Sequence, residues 1–598
     1  MRIAMRLSSE LTSAGWRAWR TALGELPLLQ ITLGRRRIFR VVLRGTISQC
    51  VPLLVACVPS DSFKRAQMDW IEHCSCSLSV LSAFAYNSRM LRFLCAIFLS
   101  AAVLSAQAPA PFRIEETTIA EIQSALRSGS LTCRSLVEQY LARIGANDKQ
   151  GAALNAIVQT NPDAMKTADD LDRRFRQSGP VGPMHCVPVL VKDNYETIDM
   201  PTTAGSLSLK GMMTGKDAFV VKRLRDAGAV MIAKSNMAEF AFSPVETVNS
   251  ILPGYTRNPY DTSRVTAGSS GGSAAGIAAN FAAIGLASDT GDSIRGPAAH
   301  QALVGLRSTV GLVSRGGVVP LNLAADIAGV VTRTVADTAT VLQVIAGPDP
   351  ADPVTALGRD HVAASYPASL RADALKGARL GVLHQAYDSP TLDKEVAGVF
   401  EGALSELRNF GAEVIDPVEV TGLEAMQRAQ GSCNQFKYDL NHYLVALGDK
   451  APLHSLDEII KSRRFHPSIQ ARLESAQAAD DTPGISAGCK SREEFREKLR
   501  AAVVSLMDSR QLDALIYPTW SNPPRLIGDL NTPAGDNNQL FSPSTGFPAI
   551  TVPMGYTRGS TLPAGLQFFG RAWSEARLLE LAFAYEQATH HRRPPVLR

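Results

Sequence analysis

Closely spaced cysteines are absent from the main part of this sequence. Five of the nine cysteines lie before residue 109, and Cys133, Cys186, Cys433 and Cys489 are scattered singly after it. No pair among these four has the spacing of a zinc site or of a CxxC redox motif. We therefore expect no metal site, and we expect buried free thiols, with one distant disulfide as the alternative.

Excess charge is also absent from the chain outside its N-terminal segment 1–108, which we call the leader. The leader carries 13 basic and 5 acidic side chains, which leaves 48 basic and 51 acidic side chains for the rest of the chain. The formal net charge of +5 therefore comes from the leader. Because a nucleic-acid-binding protein needs a basic surface, we expect no nucleic-acid partner.

No apolar run of the leader suits a stable membrane span. The apolar stretch 93–104 is shorter than the ~20 residues that cross a bilayer. It follows Arg92 and precedes Ala106-Gln107-Ala108, which is the order of a secretory signal peptide. We expect residues 1–89 to be an over-extended, non-native N-terminus, residues 90–108 to be a signal peptide starting at Met90, and the protein to be periplasmic or secreted. An uncleaved apolar anchor and an organelle transit sequence are the alternatives.

Beyond the leader, helical and strand-like segments alternate, which predicts an α/β fold. Thr118 and Glu121 form a capping box that begins a helix, and Gly129 ends it. Short buried strands indicate one sheet covered by helices on both faces. We predict a catalytic domain over residues 109–598, in which the helix-rich segment 348–538 shapes the substrate pocket. Further helices are predicted at 135–143, 218–226, 394–410 and 495–507, and strands at 187–191, 229–233, 412–415 and 514–517.

A Gly/Ser-rich segment, residues 266–276, carries the first chemical signal. It contains Ser269 and leads into an Ala-rich apolar stretch, 274–286, which we interpret as a buried helix. A flexible linker would border on polar sequence, whereas a Gly/Ser turn before a buried helix can present amides and hydroxyls to a ligand. The segment that follows is Ser288-Asp-Thr-Gly-Asp-Ser-Ile-Arg-Gly-Pro-Ala298, and Ser293 lies at its centre.

Together these two segments resemble the amidase-signature family of serine hydrolases. The resemblance extends over about residues 115–590 and implies one large twisted mixed sheet covered by helices on both faces. Further matching segments are Val187–Asn194, Thr202–Ser206, Ala233–Glu239, Arg257–Asp261, Gly546–Pro553 and Leu562–Phe568.

The resemblance implies a role for each matched residue and no cofactor. Ser293 falls at the nucleophile, Ser269 at a bridging serine that follows a cis peptide bond in the family, and Lys192 at the general base. The backbone amides of Thr290, Gly291, Asp292 and Ser293 fall at the oxyanion hole. The chemistry is sound, since a buried lysine can lose its charge and then accept a proton from serine. Without the resemblance, Lys192 would be read as a surface lysine that extends its amine to solvent.

These residues predict an amidase that hydrolyses a small-molecule carboxylic amide to an acid and ammonia or an amine. An amidotransferase A-type subunit, which needs partner subunits and a charged transfer RNA, is one alternative. A catalytically inert binding protein on the same fold is another. The identity of the amide does not follow from these residues, and a homodimer is compatible with them.

Asp292 departs from the Gly-Gly-Ser sequence that many family members carry at the nucleophile. A carboxylate that faced the site would oppose a developing oxyanion and would keep Lys192 protonated. We therefore expect the Asp292 side chain to point away, into a hydrogen-bonded or salt-bridged niche, with Arg295 as a candidate partner. We also expect Asp289 and Arg295 to pair structurally.

Overall fold

The structure is a computed structural model that describes residues 112–242 and 245–597. The leader lies outside the described residues, so its start site and its signal peptide stay predictions. Within the described ranges, no helix is long and apolar enough to cross a membrane.

The described chain alternates between helices and strands, as the sequence predicts. Its α-helices are α1 Ile119–Ser128, α2 Cys133–Asn147, α3 Ala164–Ser178, α4 Phe219–Asp226, α5 Gly271–Ala278, α6 Arg295–Ala299, α7 Val335–Ile345, α8 Tyr366–Ser369, α9 Lys394–Asn409, α10 Leu423–Ala429, α11 Phe436–Leu447, α12 Leu456–Ser462, α13 Gln470–Ala478, α14 Ala487–Ser509, α15 Phe541–Thr545 and α16 Glu575–Thr589. Its strands are β1 Ile157–Thr160, β2 Pro188–Lys192, β3 Val230–Ser235, β4 Ile284–Asp289, β5 Val304–Arg307, β6 Ile327–Thr332, β7 Arg379–Leu383, β8 Glu413–Val418, β9 Ala514–Pro518, β10 Ala549–Thr557 and β11 Leu562–Phe569.

The strands form one mixed sheet of 11 strands in the order β1-β3-β2-β4-β6-β5-β10-β11-β9-β7-β8. Strand β2 pairs in parallel with β3 and β4, whereas β10 pairs antiparallel with β5 and β11. Every residue of β2, β3, β4 and β6 is buried. Because successive side chains point to opposite faces, full burial means that both faces of these strands are covered. The predicted α/β fold is confirmed.

Local sequence signals correctly predicted the positions of most helices and strands. Helix α1 begins after the Thr118 capping box and ends at Gly129, whose φ of 74° lies in the left-handed region that glycine adopts easily. The interpretation of residues 274–286 as one helix was wrong. Helix α5 begins inside the Gly/Ser segment and ends at Ala278, and the chain reverses at Asn280, where φ is 60°. From Ile284 the chain joins the sheet as β4, because its backbone pairs with β2 and β6.

The expectation of free thiols was also wrong, since the four cysteines of the described chain form two disulfides. Cys133, at the start of α2, is bonded to Cys186, just before β2, and their Cα atoms are 5.3 Å apart. Cys433 is bonded to Cys489 of α14, with a Cα separation of 4.6 Å. The partners are separated by 53 and 56 positions along the chain, so only the tertiary fold brings them within bonding distance.

Segment 348–538 contributes both to the sheet and to a separate helical cluster. Strands β7, β8 and β9 lie in this segment and join the common sheet. Helices α11, α12 and α13 form a second apolar core, which includes Leu440, Ile459 and Leu473 and packs against Phe240 and Leu209. The helices therefore lie against the loops that follow β2 and β3, next to the predicted site.

Candidate active site

Lys192 is the last residue of β2 and is completely buried. Its Nζ donates to Ser269 Oγ at 2.8 Å, to Ser288 Oγ at 2.8 Å and to the Ser288 carbonyl at 3.3 Å. Burial lowers the pKa of Lys192 to about 7, although the carboxyl groups of Asp289, Asp292 and Asp326 act in the opposite direction. A large share of Lys192 is therefore neutral near pH 7 and can accept a proton.

Ser269 lies in the Gly/Ser segment directly before α5 and is also completely buried. The peptide bond between Gly268 and Ser269 is cis, as the family resemblance implies. The Ser269 carbonyl accepts a hydrogen bond from the amide of Ala238, at 3.0 Å, which ties this turn to the segment after β3. The hydroxyl of Ser269 therefore has a defined position beside Lys192.

Ser293 lies in the turn between β4 and α6 and is 4% exposed. Its hydroxyl donates to Asp292 Oδ1 at 3.3 Å. The hydrogen bonds of the described residues include none between the hydroxyls of Ser269 and Ser293. Of the three residues predicted from the sequence, Lys192 and Ser269 are hydrogen-bonded to each other. Ser293 is hydrogen-bonded to Asp292 instead.

The Asp292 carboxyl is hydrogen-bonded, as expected, but it contacts the Ser293 hydroxyl, so the expectation that it points away from the site was wrong. Its Oδ1 accepts from Ser293 Oγ and from Gln539 Nε2, the latter at 3.2 Å, and its Oδ2 is buried without a hydrogen-bond partner among the described residues. Burial raises the pKa of Asp292 well above that of an ordinary carboxyl, and the carboxyl groups of Asp536 and Asp289 add to this effect.

Arg295 does not form an ion pair with Asp292 because it is already paired with Asp289, as expected for those two residues. Arg295 Nε lies 3.1 Å from Asp289 Oδ2, and Arg307 Nη1 lies 3.0 Å from Asp289 Oδ1. Burial alone would raise the pKa of Asp289, but the two guanidinium groups outweigh it, and the pKa is lowered. Arg295 also donates to the Gly291 carbonyl at 2.5 Å. This buried ion cluster holds the turn that carries Ser293.

Four consecutive backbone amides of this turn are unused. The N–H groups of Thr290, Gly291, Asp292 and Ser293 donate no hydrogen bond to any residue that the structure describes. The Thr290 side chain is fixed by a 2.5 Å hydrogen bond to Asp326. Free amides in a fixed turn can stabilise an oxyanion without reorganising, which is the requirement for an oxyanion hole.

The turn lines a cavity of about 600 Å³. Lys192 and Ser269 are not in its lining, so a ligand in the cavity contacts residues of the 290–293 turn rather than Lys192 or Ser269. The remaining lining comes mainly from segments 321–325 and 431–435, from helices α13, α14 and α15, and from the segment before α15. The charged and polar lining side chains include Arg472, Arg492, Arg496, Asp536, Gln539, Gln435 and Asn322.

Sequence reasoning missed Ser288 and the wall of the cavity. Ser288 Oγ accepts hydrogen bonds from Lys192 and, at 3.0 Å, from Asn194. The sequence could have pointed to Ser288, because it lies in the strand before the nucleophile turn. That strand, β4, pairs in parallel with β2, which carries Lys192. No comparable signal existed for Gln539, which lies 247 positions from Asp292 along the chain.

A second buried lysine, Lys234 of β3, shows why burial alone does not identify the base. Its Nζ lies 3.6 Å from Asp193 Oδ1 and donates to the Tyr195 carbonyl at 2.6 Å. Burial lowers its pKa to about 8, while Asp193 acts to raise it. Lys234 contacts no serine hydroxyl in the described chain, so it is suited to holding the loop after β2.

Comparisons with known proteins show which family the chain resembles along most of its length. The family model described as Amidase matches residues 135–579. A probable amidase of Arabidopsis thaliana is 33% identical over 505 residues, which cover 81% of this chain and 92% of that protein. The A subunit of glutamyl-tRNA(Gln) amidotransferase from Halorhodospira halophila is 34% identical, with coverage of 81% and 99%. The solved structure of native peptide amidase from Stenotrophomonas maltophilia is 38% identical, with a TM-score of 0.73 and coverage of 81% and 100%.

Proposed function

Because the chain belongs to the amidase-signature family, we propose that it hydrolyses a carboxylic amide of a small molecule to an acid and ammonia or an amine. One observation carries this proposal. The buried amine of Lys192 lies 2.8 Å from Ser269 Oγ, and Ser293 lines a cavity that a ligand can enter. This arrangement supplies a neutral base, a bridging hydroxyl and a nucleophile that substrate can reach.

In the proposed reaction, Ser293 Oγ attacks the amide carbonyl carbon. The proton of Ser293 passes to Ser269, and the proton of Ser269 passes to the lone pair of neutral Lys192. For this transfer the Ser293 hydroxyl turns from Asp292 Oδ1, which accepts its hydrogen bond in the free site, toward Ser269. Lys192 can act as the base near neutral pH because burial lowers its pKa to about 7.

The tetrahedral intermediate then collapses to an acyl-enzyme. Its oxyanion binds the free amides of residues 290–293, and each such donor is worth roughly 2.7–4 kcal/mol in the transition state. The C–N bond breaks as the leaving nitrogen takes a proton from Lys192 through Ser269. Water then attacks the ester on Ser293 while Lys192 again accepts a proton, and the C–Oγ bond breaks as that proton returns through Ser269 to Ser293 Oγ, so the acid leaves and the free site is restored.

Labelling with a fluorophosphonate probe, followed by a screen of amides, tests this proposal. We expect the probe to modify Ser293, and we expect Ser293→Ala to be neither labelled nor active. Ser389→Ala is the control, because Ser389 is an exposed serine outside the cavity lining. This variant should be labelled like the wild type. Absence of labelling in a folded wild-type protein would favour an inert binding protein.

An amidotransferase subunit is the second candidate, because several relatives carry that name. Such a subunit would release ammonia from an amide donor and would depend on partner subunits to use it. Assaying ammonia release from glutamine and from other amides by the isolated chain separates the two functions. Turnover of a non-glutamine amide without any partner supports the amidase, whereas activity with glutamine alone supports the amidotransferase.

We also propose that the protein is exported, as the signal-peptide pattern of residues 90–108 predicts. The two disulfides support this proposal, because disulfides persist mainly in oxidising compartments. Expression of the chain from Met90 with fractionation of the cells tests it. A product that begins near Pro109 in the periplasm or the medium is the expected result, and a reduced, uncleaved product in the cytoplasm would contradict it.

A further inference from the structure

The hydroxyl of Ser293 has only one hydrogen-bond partner in the described structure, and that partner is the preceding side chain. Ser293 Oγ donates to Asp292 Oδ1 at 3.3 Å, whereas Lys192 and Ser269 are already in contact with each other at 2.8 Å. A hydroxyl has a single proton to donate. While that proton is directed at Asp292, it is not available to Ser269, so the proton path is interrupted at its last link.

Asp292 is itself held in place by Gln539, another residue of the cavity lining. Gln539 Nε2 donates to Asp292 Oδ1 at 3.2 Å and to Asp536 Oδ2 at 2.6 Å. The Gln539 side chain also lies over Gly291, since a methyl group there would overlap Gln539 Oε1. Asp292 is 2% exposed, so water does not compete strongly for its carboxyl. Gln539 therefore clamps the carboxyl in the orientation that accepts from Ser293.

We propose that Asp292 is a positioning residue that holds the Ser293 hydroxyl away from Ser269 in the unoccupied site. The nucleophile joins the path to Lys192 only after this hydrogen bond has been exchanged. The proposal rests on the proposed role of Ser293 and adds to it a resting state that lowers the reactivity of the free enzyme.

The charges around Asp292 are consistent with this role. Asp536 and Asp289 face it as carboxyl groups, and Arg295 and Lys192 face it as cations when protonated. Arg295 is engaged by Asp289, and Lys192 by the two serines Ser269 and Ser288. None of the described cations therefore forms an ion pair with Asp292, which leaves the Ser293 and Gln539 side chains as its hydrogen-bond donors.

Two substitutions at Asp292 distinguish the effect of the hydrogen bond from the effect of the rest of the side chain. Asp292→Ala removes the acceptor, whereas Asp292→Asn keeps an amide oxygen that can accept from Ser293. The assay is the second-order rate of Ser293 modification by a fluorophosphonate, in which the Oγ–P bond forms, the P–F bond breaks and the proton goes to Lys192 through Ser269. Loss of one hydrogen bond corresponds to about fivefold in rate. We expect Asp292→Ala to react about fivefold faster than the wild type and Asp292→Asn to react like the wild type.

Asp337→Ala is the matched control. Asp337 is a buried carboxyl in α7 that also has a raised pKa and one oxygen without a hydrogen-bond partner in the described chain, but it is not in the cavity lining. Its labelling rate should equal that of the wild type. Melting temperatures show which variants fold. If Asp292→Ala does not fold, Gln539→Met, which preserves length but removes the clamp, should also accelerate labelling.

The outcomes distinguish this inference from the proposed function. If wild-type Ser293 is not labelled, the proposed function fails. If it is labelled and Asp292→Ala reacts at the same rate, the carboxyl does not restrain Ser293, and the inference is overturned. A slower Asp292→Ala that Asp292→Asn restores would overturn it too, because Asp292 would then assist the nucleophile.

Discussion

The pH dependence of the rate follows from the burial of Lys192. With a pKa of about 7, Lys192 is neutral in about 9% of molecules at pH 6, about 50% at pH 7 and about 91% at pH 8. A lysine with its ordinary pKa would be neutral in only about 0.03% of molecules at pH 7. We therefore expect kcat/KM to rise about tenfold from pH 6 to pH 8 and to level off above pH 8, because only neutral Lys192 accepts a proton.

The burial that makes Lys192 a usable base also lowers the stability of the folded protein near pH 7. The folded-state pKa of Lys192 lies below the unfolded value, so the unfolded chain binds more protons between pH 7 and about 10.5, and stability rises with pH across that window. The shift from 10.5 to about 7 corresponds to a cost on the order of 5 kcal/mol at pH 7. Lys192→Met should therefore abolish activity yet raise the melting temperature, and this gain should shrink toward pH 10.5.

The assay combines initial rates on the best amide, from pH 5 to pH 10, with melting temperatures in the same buffers. Ser293→Ala provides the background rate, and melting curves exclude unfolding as the cause of any loss. A rate that keeps rising tenfold per pH unit to pH 10 would show that Lys192 has an ordinary pKa. A rate that falls from acid toward neutral pH would exclude Lys192 as the base.

Four further predictions follow from the site and the fold. Ser293→Ala should lower kcat on the order of 10⁶-fold, Lys192→Ala nearly as much, and Ser269→Ala somewhat less, because the three act as one unit; wild-type-like turnover by Ser293→Ala would contradict the mechanism. Ser288→Ala should lower kcat about fivefold with little change in KM, since it removes one partner of the Lys192 amine; a change confined to KM would count against this role. A chain beginning at Pro109 should fold and be active, because the described site and core lie beyond the leader; an insoluble product from a well-behaved full-length chain would show that the leader belongs to the fold. Replacing Cys133 and Cys186 by serine should lower the free energy of unfolding by about 2–4 kcal/mol, and replacing Cys433 and Cys489 should also raise KM because Cys433 lines the cavity; unfolding by urea and substrate saturation curves measure both, and unchanged values would contradict them.

Local sequence signals identified much of the fold because their physical causes are local. The capping box at Thr118 and the glycine at position 129 set the ends of α1 within the span of one helix. The continuous apolar segments around β2, β3 and β9 could be assigned to strands because both faces of these strands are buried. The Ala-rich stretch was misjudged because its apolar side chains suit a buried helix and a buried strand equally, and only pairing with β2 and β6 decided between them.

The candidate site was likewise determined in part by the sequence and in part by the tertiary structure. Ser269, Ser293 and Lys192 lie in segments whose residue pattern resembles a known family, so the sequence alone determined which residues to examine. The tertiary structure decided the orientation of Asp292, because Gln539 reaches it from a distant part of the chain and Arg295 is occupied by Asp289. It also decided the pairing of the four cysteines and the pKa of Lys192. Bonding distance and burial depend on segments that are far apart in sequence, and the order of residues along the chain does not contain these contacts explicitly.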